Sequence, residues 1–192
     1  FSCLIVTGTC LASEPSRTAI FEAFNLAKKN GLPIFLDLDY RAYTWRSTEE
    51  AATIYLKAAK ECDVVIGNDE EFGLMAGNYK DGFKLAKELI NSSSIIAYKK
   101  GKNGSIAFVE NETIKTGVFK VKALKPTGAG DAFIGAFIGS MLNNKSVKES
   151  FEYGSAAAAI VVTKVGCSSA MPYQEDLYDF LKNNKISSYK EI

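Results

Sequence analysis

The stretch from Thr127 to Asp131 (TGAGD) has the composition of an anion-binding turn with a carboxylate beside it. An apolar segment with helical periodicity follows, so backbone N–H groups should converge at a helix N-terminus. Gly128 and Gly130 let a phosphate approach the backbone without meeting a Cβ. Asp131 lies where a general base would accept a proton from an alcohol, while the N–H groups of Gly128, Ala129 and Gly130 hold the charge on a transferred phosphoryl group. The alternative is an ordinary strand-to-helix turn in which Asp131 complements the helix dipole.

A second candidate is the stretch from Asn68 to Glu71 (NDEE), which follows an apolar strand. Asn at an N-cap with Glu three residues later is typical of a capping box, which needs no function. In the functional interpretation Asn68 and Glu71, at the carboxyl end of a strand, organise phosphate oxygens and magnesium-bound water. Both interpretations can hold together.

Other polar stretches also allow two interpretations. The segment from Lys99 to Gly104 (KKGKNG) is either a solvated turn or, if it lies beside the TGAGD turn, a flank of a nucleotide. The segment from Gly166 to Pro172 is either a helix stop or a loop on the adenine side. Arg41 and Trp45 follow a buried strand, a position that faces the ligand crevice of open α/β sheets, although such residues more often serve packing and salt bridges.

Histidine is absent from the 192 residues, and the four cysteines include no C-x-x-C pair. These facts argue against a zinc site and a Ser-His-Asp triad. Scattered cysteines are typical of incidental thiols in a reducing cytosol, so we expect a cytoplasmic protein. The cysteines are Cys3, Cys10, Cys62 and Cys167.

The composition, 47% hydrophobic and 23% charged, fits one well-cored soluble domain. A net charge of +1 lacks the basic excess that nucleic-acid binding needs, so we expect no nucleic-acid partner. The longest apolar run, residues 156–162, is far shorter than the roughly 18 residues of a membrane span, so we expect no membrane association.

Strand and helix patterns alternate along the chain, which predicts an α/β fold. The predicted sheet is mainly parallel, has helices on both faces and carries an antiparallel edge near residues 101–121. The predicted strands are 3–7, 33–38, 63–67, 94–98, 106–109 and 113–121. The predicted helices are 16–30 with Gly31 at its C-cap, 47–60 with a capping box at Ser47, a short one opened by Asn68, 81–90, 131–142, 146–165 with a capping box at Ser146, and 174–182.

Four segments together resemble the C-terminal part of the ribokinase-like (pfkB) carbohydrate kinases. They are TGAGDAF (127–133), Asn68-x-x-Glu71, KGKNG (100–104) and AAAAIVVTKVG (156–166). The resemblance covers nearly the whole chain and implies a ribokinase-like three-layer α/β/α fold. It also implies that residues 1–192 are the C-terminal ATP-binding and catalytic part of a kinase domain whose N-terminal portion is absent from this chain.

The resemblance implies ATP-dependent phosphorylation of a sugar hydroxyl with Mg²⁺ as cofactor. It makes Asp131 the catalytic base, and Glu71 a magnesium ligand through water. The anion hole would be Gly128, Ala129 and Gly130, and the nucleotide would be bordered by Asn68, Lys99, Gly101, Gly104, Ser155 and Gly166. A nucleotide-binding module without catalysis remains an alternative, although a pure binding module would not need Asp131.

A narrower resemblance is to the kinases of 5-dehydro-2-deoxygluconate in myo-inositol breakdown. It rests on VTGT (6–9), EPSR (14–17), DLDYRAYTW (37–45), VIG (65–67) and CSSAMP (167–172). It implies a small-molecule sugar acid and ATP as partners and a 6-phosphate product. From its place at a strand end we hypothesise that Arg41 pairs with a substrate carboxylate, and a homodimer of the full-length protein is a further expectation. Asp39 stands where many relatives carry Asn. Fructokinase, ribokinase and 2-keto-3-deoxygluconate kinase types remain alternatives.

Two departures from the family pattern affect these expectations. Lys125 and Pro126 replace an Asp-Thr pair that commonly precedes this turn in the family. In many relatives that Asp helps to hold a monovalent cation with carbonyls of the turn between Lys164 and Ala170, and we hypothesise that the Lys125 ammonium takes the place of that cation. The N-terminal part, where the family places most sugar contacts and its lid, is absent. We therefore expect residues 1–192 alone to bind nucleotide weakly, if at all, and to be inactive.

Overall fold

The computed structural model describes residues 1–190. The strands are β1 (Leu4–Thr7), β2 (Ile34–Asp37), β3 (Val64–Asn68), β4 (Ile95–Lys99), β5 (Ser105–Val109) and β6 (Glu112–Thr116). The α-helices are α1 (Ser16–Lys29), α2 (Thr48–Ala59), α3 (Asp69–Met75), α4 (Gly82–Glu88), α5 (Ala129–Leu142), α6 (Val147–Val162) and α7 (Gln174–Asn183). Between residues 1 and 190, no helix is long and apolar enough to cross a membrane.

The six strands form one sheet in the order of the sequence. Strands β1 to β4 are parallel, and their registers align Thr7 with Asp37 and Asn68 with Lys99. The carboxyl ends of these strands therefore meet at one edge, where ligands bind in open α/β sheets. The alternation of strands and helices in the sequence predicted this arrangement.

The antiparallel edge consists of β5 and β6, joined through a two-residue turn at Glu110 and Asn111. A connection this short permits only antiparallel pairing. The α/β fold class with its antiparallel edge is thus confirmed. The predicted last strand was too long, because β6 ends at Thr116 rather than at residue 121.

The chain divides into two compact units. The first comprises residues 1–100 and 106–114, with helices α1 to α4. Strands β2, β3 and β4 are buried over all but their last residue, and Ile34, Leu36 and Ile66 have 0% exposure. Continuous apolar runs of this kind are typical of parallel strands covered on both faces.

The second unit comprises residues 101–105 and those from 115 onward, with helices α5 to α7. Its core is unusually rich in alanine, since α6 buries Ala156, Ala157 and Ala159 against Phe119 and Leu177. Small side chains let α5 and α6 approach closely, so the start of α5 is fixed on a well-packed partner. Helix α6 ends at Val162, three residues before the predicted end at 165.

Of the helix caps predicted at Gly31, Ser47 and Ser146, two form as expected. Ser146 forms the predicted capping box with Glu149, and Gly31 follows α1 with a left-handed φ of 66°. At α2 only half of the predicted box forms: the Ser47 hydroxyl accepts from the Glu50 amide at 3.1 Å. The Glu50 carboxylate instead accepts from Arg17 at 2.9 Å. A charged guanidinium is a stronger donor to a carboxylate than a backbone amide is.

Candidate active site

Gly128 is the residue that shapes the TGAGD turn. It is the N-cap of α5 and has a left-handed backbone, with φ at 85°. A Cβ there would lie 2.9 Å from Cys167 Sγ and 3.2 Å from Val161 Cγ1. Both the conformation and the space exclude a side chain, so only glycine fits this turn without strain.

The N-terminus of α5 is open. No side chain among residues 1–190 caps it, and the first intrahelical bond is donated by the Ala132 amide to the Gly128 carbonyl at 3.0 Å. The Ala129 amide donates to the Pro126 carbonyl at 3.2 Å, so this predicted anion-hole N–H is also used within the turn. Asp131 stands exposed in the first turn. The terminus thus combines a positive dipole end with a solvent-facing carboxylate.

Lys125 contacts this turn directly. Its ammonium donates a hydrogen bond to the Thr127 carbonyl at 3.0 Å. The Lys125 backbone is held in turn by the Val162 carbonyl, which accepts from the Leu124 amide at 2.7 Å and from the Lys125 amide at 3.3 Å. A fixed positive charge therefore lies on a carbonyl of the glycine turn.

The loop after α6 lies against the same turn. Gly166 has φ at 101°, and a Cβ there would meet the Ser169 hydroxyl at 2.3 Å. The next residue, Cys167, places its sulfur against Gly128. Sequence reasoning assigned Gly166 to the nucleotide but missed this role of Cys167, because no local pattern shows which residue fills the space beside a distant glycine.

A cavity of about 630 Å³ extends along α5 from Asp131. Its walls include Gly135 and Gly139 of α5, Tyr153 of α6 and Leu177 of α7. A Cβ added at either glycine would meet nothing within 4 Å, so this face of the helix is open. Asp131 thus lies at the mouth of a groove large enough for a small organic molecule.

Three other predicted nucleotide residues belong to the second unit but differ in exposure. Gly101 and Gly104 bracket a turn with left-handed φ values of 52° and 105°. Ser155 is buried within α6 at 8% exposure. The glycine turn presents backbone to solvent at Gly101, whereas Ser155 offers little surface to a ligand.

In the first unit, Asn68 and Glu71 form the predicted capping box. The Glu71 amide donates to Asn68 Oδ1 at 2.9 Å, and the Asn68 amide donates to Glu71 Oε2 at 2.7 Å. The second Glu71 oxygen accepts from the Tyr40 amide at 3.0 Å. Glu71, only 7% exposed, therefore ties the loop after β2 to the start of α3. Each carboxylate oxygen keeps one lone pair for a further partner.

Arg41 is held at the end of β2. Its guanidinium pairs with Asp39 at 2.5 Å and donates to the Tyr40 carbonyl at 3.1 Å. Asp39 has a positive φ of 37° and also faces the Thr7 hydroxyl at 3.4 Å. The Arg41 side chain remains 49% exposed, so it can reach a ligand while its charge is partly balanced. Sequence reasoning placed Arg41 at this strand end but not its ion pair.

A buried tyrosine, Tyr55, packs beside the carboxyl ends of the strands. Tyr55 is 1% exposed, and its ring occupies the space that a side chain at Gly8 would need. Burial raises the pKa of the Tyr55 phenol, and the Glu71 and Asp39 carboxylates raise it further. The phenol therefore stays neutral beneath this acidic edge of the sheet.

The predicted site residues fall into two groups. The first unit holds Arg41, Asn68, Glu71 and Lys99, all at the carboxyl ends of β2, β3 and β4. The second unit gathers the glycine-rich residues and the acid, namely Gly101, Gly104, Gly128, Ala129, Gly130, Asp131, Ser155 and Gly166. Within the second unit, the turn at Gly128 and the loop at Gly166 are in direct contact through Cys167.

The family model of the pfkB family carbohydrate kinases matches residues 2–174 of the chain. The chain belongs to the pfkB family. It is 41% identical over 190 residues to a protein named 5-dehydro-2-deoxygluconokinase from Geobacillus thermodenitrificans, and 40% identical over 177 residues to one of the same name from Listeria monocytogenes. These alignments cover 96% and 91% of this chain, but 56% and 54% of the relatives. The chain thus spans about half the length of the relatives that it matches.

Two solved kinase structures share the fold. A fructokinase from Vibrio cholerae, solved with fructose, ADP and calcium, superposes with a TM-score of 0.84 at 24% identity, over 94% of this chain and 62% of its own. An aminoimidazole riboside kinase from Salmonella enterica gives a TM-score of 0.83 at 21% identity, over 92% and 61%. The ribokinase-like three-layer α/β/α fold implied by the sequence motifs is confirmed.

Proposed function

We propose that this chain is the C-terminal ATP-binding and catalytic part of an ATP-dependent sugar kinase. The observation that carries the proposal is the open N-terminus of α5, where left-handed Gly128 precedes an exposed Asp131 in the first turn. An uncapped helix end attracts a phosphate, and the acid beside it can take a proton. Membership of a carbohydrate kinase family supports both roles.

The proposed reaction transfers the γ-phosphoryl group of ATP to a sugar hydroxyl. Asp131 accepts the hydroxyl proton as the sugar oxygen bonds to phosphorus, and the bond to the ADP oxygen breaks. The N–H groups of the turn from Gly128 to Gly130 and the positive end of the α5 dipole stabilise the charge on the transferred group. The Ala129 N–H shares its hydrogen with Pro126, so we assign the larger contribution to its two glycine neighbours.

Within each unit, the residues present have the chemistry to hold part of a nucleotide with Mg²⁺. The Gly128 turn leaves no room for a Cβ, as a backbone cradle for phosphate requires, and Asn68 and Lys99 stand side by side at adjacent strand ends. Glu71 keeps free lone pairs for metal-bound water, the usual manner in which proteins hold Mg²⁺. When bound, Mg²⁺ neutralises phosphate charge. Gly101, Gly104 and Gly166 would border the nucleotide; Ser155, buried in α6, would act from behind that surface.

The proposed acceptor is a sugar acid, 5-dehydro-2-deoxy-D-gluconate, phosphorylated at its 6-hydroxyl. Relatives about 40% identical carry the name of this activity. Arg41 would pair with the substrate carboxylate, since it is half exposed and oriented by Asp39. Arg41→Ala in the full-length protein should raise KM for an acid sugar more than for a neutral one. Equal changes for both would remove Arg41 from carboxylate recognition.

Lys125 would replace a monovalent cation at the turn, because its ammonium already places one positive charge against the Thr127 carbonyl. We expect little activation of the full-length protein by potassium and greater activation of Lys125→Ala. Strong activation of the wild-type protein that Lys125→Ala leaves unaltered would refute this role.

The deciding experiment assays the full-length protein with ATP, Mg²⁺ and a panel of sugars that includes 5-dehydro-2-deoxygluconate, fructose, ribose and 2-keto-3-deoxygluconate. We expect the highest kcat/KM for 5-dehydro-2-deoxygluconate. A higher value for another sugar would reassign the substrate within the family. Nucleotide binding without phosphorylation of any sugar would indicate a binding module and refute the kinase.

A further inference from the structure

Residues 186–190, here called the strap, lie beyond the segment that the family model matches. The strap runs beside the chain that follows β6. The Ser187 amide donates to the Val118 carbonyl at 3.0 Å, and the Val118 amide donates to the Ser187 hydroxyl at 3.2 Å. Two reciprocal bonds therefore fix the start of the strap.

The far end of the strap reaches the turn between Gly101 and Gly104. The Lys190 amide donates to the Asn103 carbonyl at 3.1 Å. A Cβ on Gly104 would lie 3.1 Å from Tyr189 Cδ2, so the tyrosine ring covers this glycine. The Lys115 ammonium lies 5.6 Å from the centre of the same ring, within the range of a cation–π contact.

Gly117 makes this close approach possible. A Cβ there would lie 1.9 Å from the Ser187 carbonyl oxygen. This neighbour is a backbone atom and not the movable end of a long side chain. The sequence is therefore fitted to the strap at Gly117, and Tyr189 adds a side-chain contact at Gly104, which distinguishes the strap from a tail that rests on the surface by chance.

The turn itself contributes little to its own order. Inside it, one backbone bond joins the Gly104 amide to the Gly101 carbonyl at 3.2 Å. Both glycines have left-handed φ values, and glycine loses more conformational freedom on ordering than any other residue. A ligand that binds a loose turn must supply the free energy that orders it, whereas a turn held in advance binds more tightly.

We propose that the strap is a positioning element for nucleotide binding, which holds the Gly101–Gly104 turn in the conformation that receives ATP. This inference rests on the proposed function, since it takes that turn to border the nucleotide. It extends the site to residues outside the matched family segment, chiefly Ser187 and Tyr189.

The test compares Tyr189→Ala and Ser187→Ala with the wild type, all in the full-length protein. Calorimetric titration with ATP and Mg²⁺ should show Kd raised roughly 3- to 10-fold in each variant, the range expected when the ligand must order about one more residue. Amide hydrogen exchange at residues 101–104 should accelerate. Tyr189→Phe is the matched control: it keeps the ring over Gly104, so its Kd and exchange should equal those of the wild type.

A merely structural strap would give a different result. Unchanged ATP Kd in both variants, with or without a lower melting temperature, would overturn the inference, as would an equal rise in the Kd of sugar and of ATP. Because the readout is nucleotide binding, it is independent of turnover. If the wild type binds ATP but phosphorylates no sugar, the proposed kinase activity is refuted, and the ATP Kd of the variants still tests the role of the strap. If the wild type binds no ATP, both the kinase activity and the role of the strap are refuted.

Discussion

Helices α3 and α5 both begin at residues assigned to the site, but their N-termini differ. Helix α3 is closed by its own side chains, since Asn68 and Glu71 exchange hydrogen bonds across the first turn. Helix α5 begins at Gly128, which has no side chain, and none of residues 1–190 caps it by a side chain. At the first terminus side chains satisfy two backbone donors, those of Asn68 and Glu71, whereas the second terminus keeps a positive end open to an anion.

The difference separates two kinds of contribution to a phosphate site. A capped terminus gives rigidity, and Glu71 extends that rigidity to the loop after β2 through the Tyr40 amide. An open terminus can bind an anion, because no side chain caps it and its positive dipole end faces solvent. We therefore assign the transferred phosphoryl group to α5, and to Asn68 and Glu71 the framework and water-mediated contacts.

The largest effect should come from the first-turn acid of the open terminus. Asp131→Asn in the full-length protein should lower kcat by about 10²- to 10⁴-fold, the usual contribution of a positioned general base. The matched control is Asp69→Asn, which changes the first-turn aspartate of the capped α3. Steady-state kinetics should show near-normal kcat for the control. Near-normal turnover of Asp131→Asn would show that Asp131 is not the general base, and the open terminus of α5 would then have no catalytic acid to set it apart from α3.

The next effect tests the glycine that keeps α5 open. Gly128→Ala imposes a side chain at φ 85° and against Cys167, so the free energy of unfolding should fall by about 1–3 kcal/mol. ATP affinity should fall as well. Gly139→Ala in the same helix meets nothing within 4 Å and should instead gain about 0.5–1 kcal/mol. Urea denaturation measures both; equal stability of the two variants would contradict the geometry.

A third prediction compares two capping boxes. Asn68→Ala and Ser146→Ala each remove the N-cap of a box, so each should cost about 0.5–2 kcal/mol of stability by thermal or urea denaturation. If Asn68 also organises phosphate oxygens, only Asn68→Ala should raise KM for ATP. An unchanged KM would limit Asn68 to capping and would sharpen the contrast between α3 and α5.

Much of the contrast between the capped terminus of α3 and the open terminus of α5 could be predicted from the sequence, because it depends on residues that are close together in the chain. The signal of Asn68 with Glu71, and of Ser146 with Glu149, lies within one helical turn, and both boxes form as predicted. The turn at Gly128 was predicted from glycine spacing and the apolar helix after it. Local hydrogen bonds and backbone freedom are properties that short patterns report well.

Contacts between distant residues were not readable. Glu50 has the spacing of a capping box but pairs with Arg17, 33 residues away. The stretch after Thr116 has the pattern of a strand, yet its Val118 bonds to Ser187 rather than to the sheet. Cys167 fills the space beside Gly128 without any sequence signal. In each case the deciding partner is chosen by tertiary packing, which local propensity does not encode.

The smallest expected effect concerns the charge of a closed terminus. Hydrogen bonds from the Ser146 hydroxyl and then from its backbone amide lower the pKa of Glu149 below 4.5. A lowered folded pKa means that this carboxylate stabilises the protein above the unfolded value and that the contribution is lost as pH falls through the folded value. A glutamine can accept the capping hydrogen bonds but does not titrate. Glu149→Gln should therefore have a lower melting temperature than the wild type at pH 6. The difference between the two melting temperatures should become smaller below pH 4.5. Calorimetry at the two pH values measures it. A difference in melting temperature that is the same at both pH values would show that the α6 cap depends on hydrogen-bond geometry alone. The charge of Glu149 would then not be part of what distinguishes this closed terminus from the open terminus of α5.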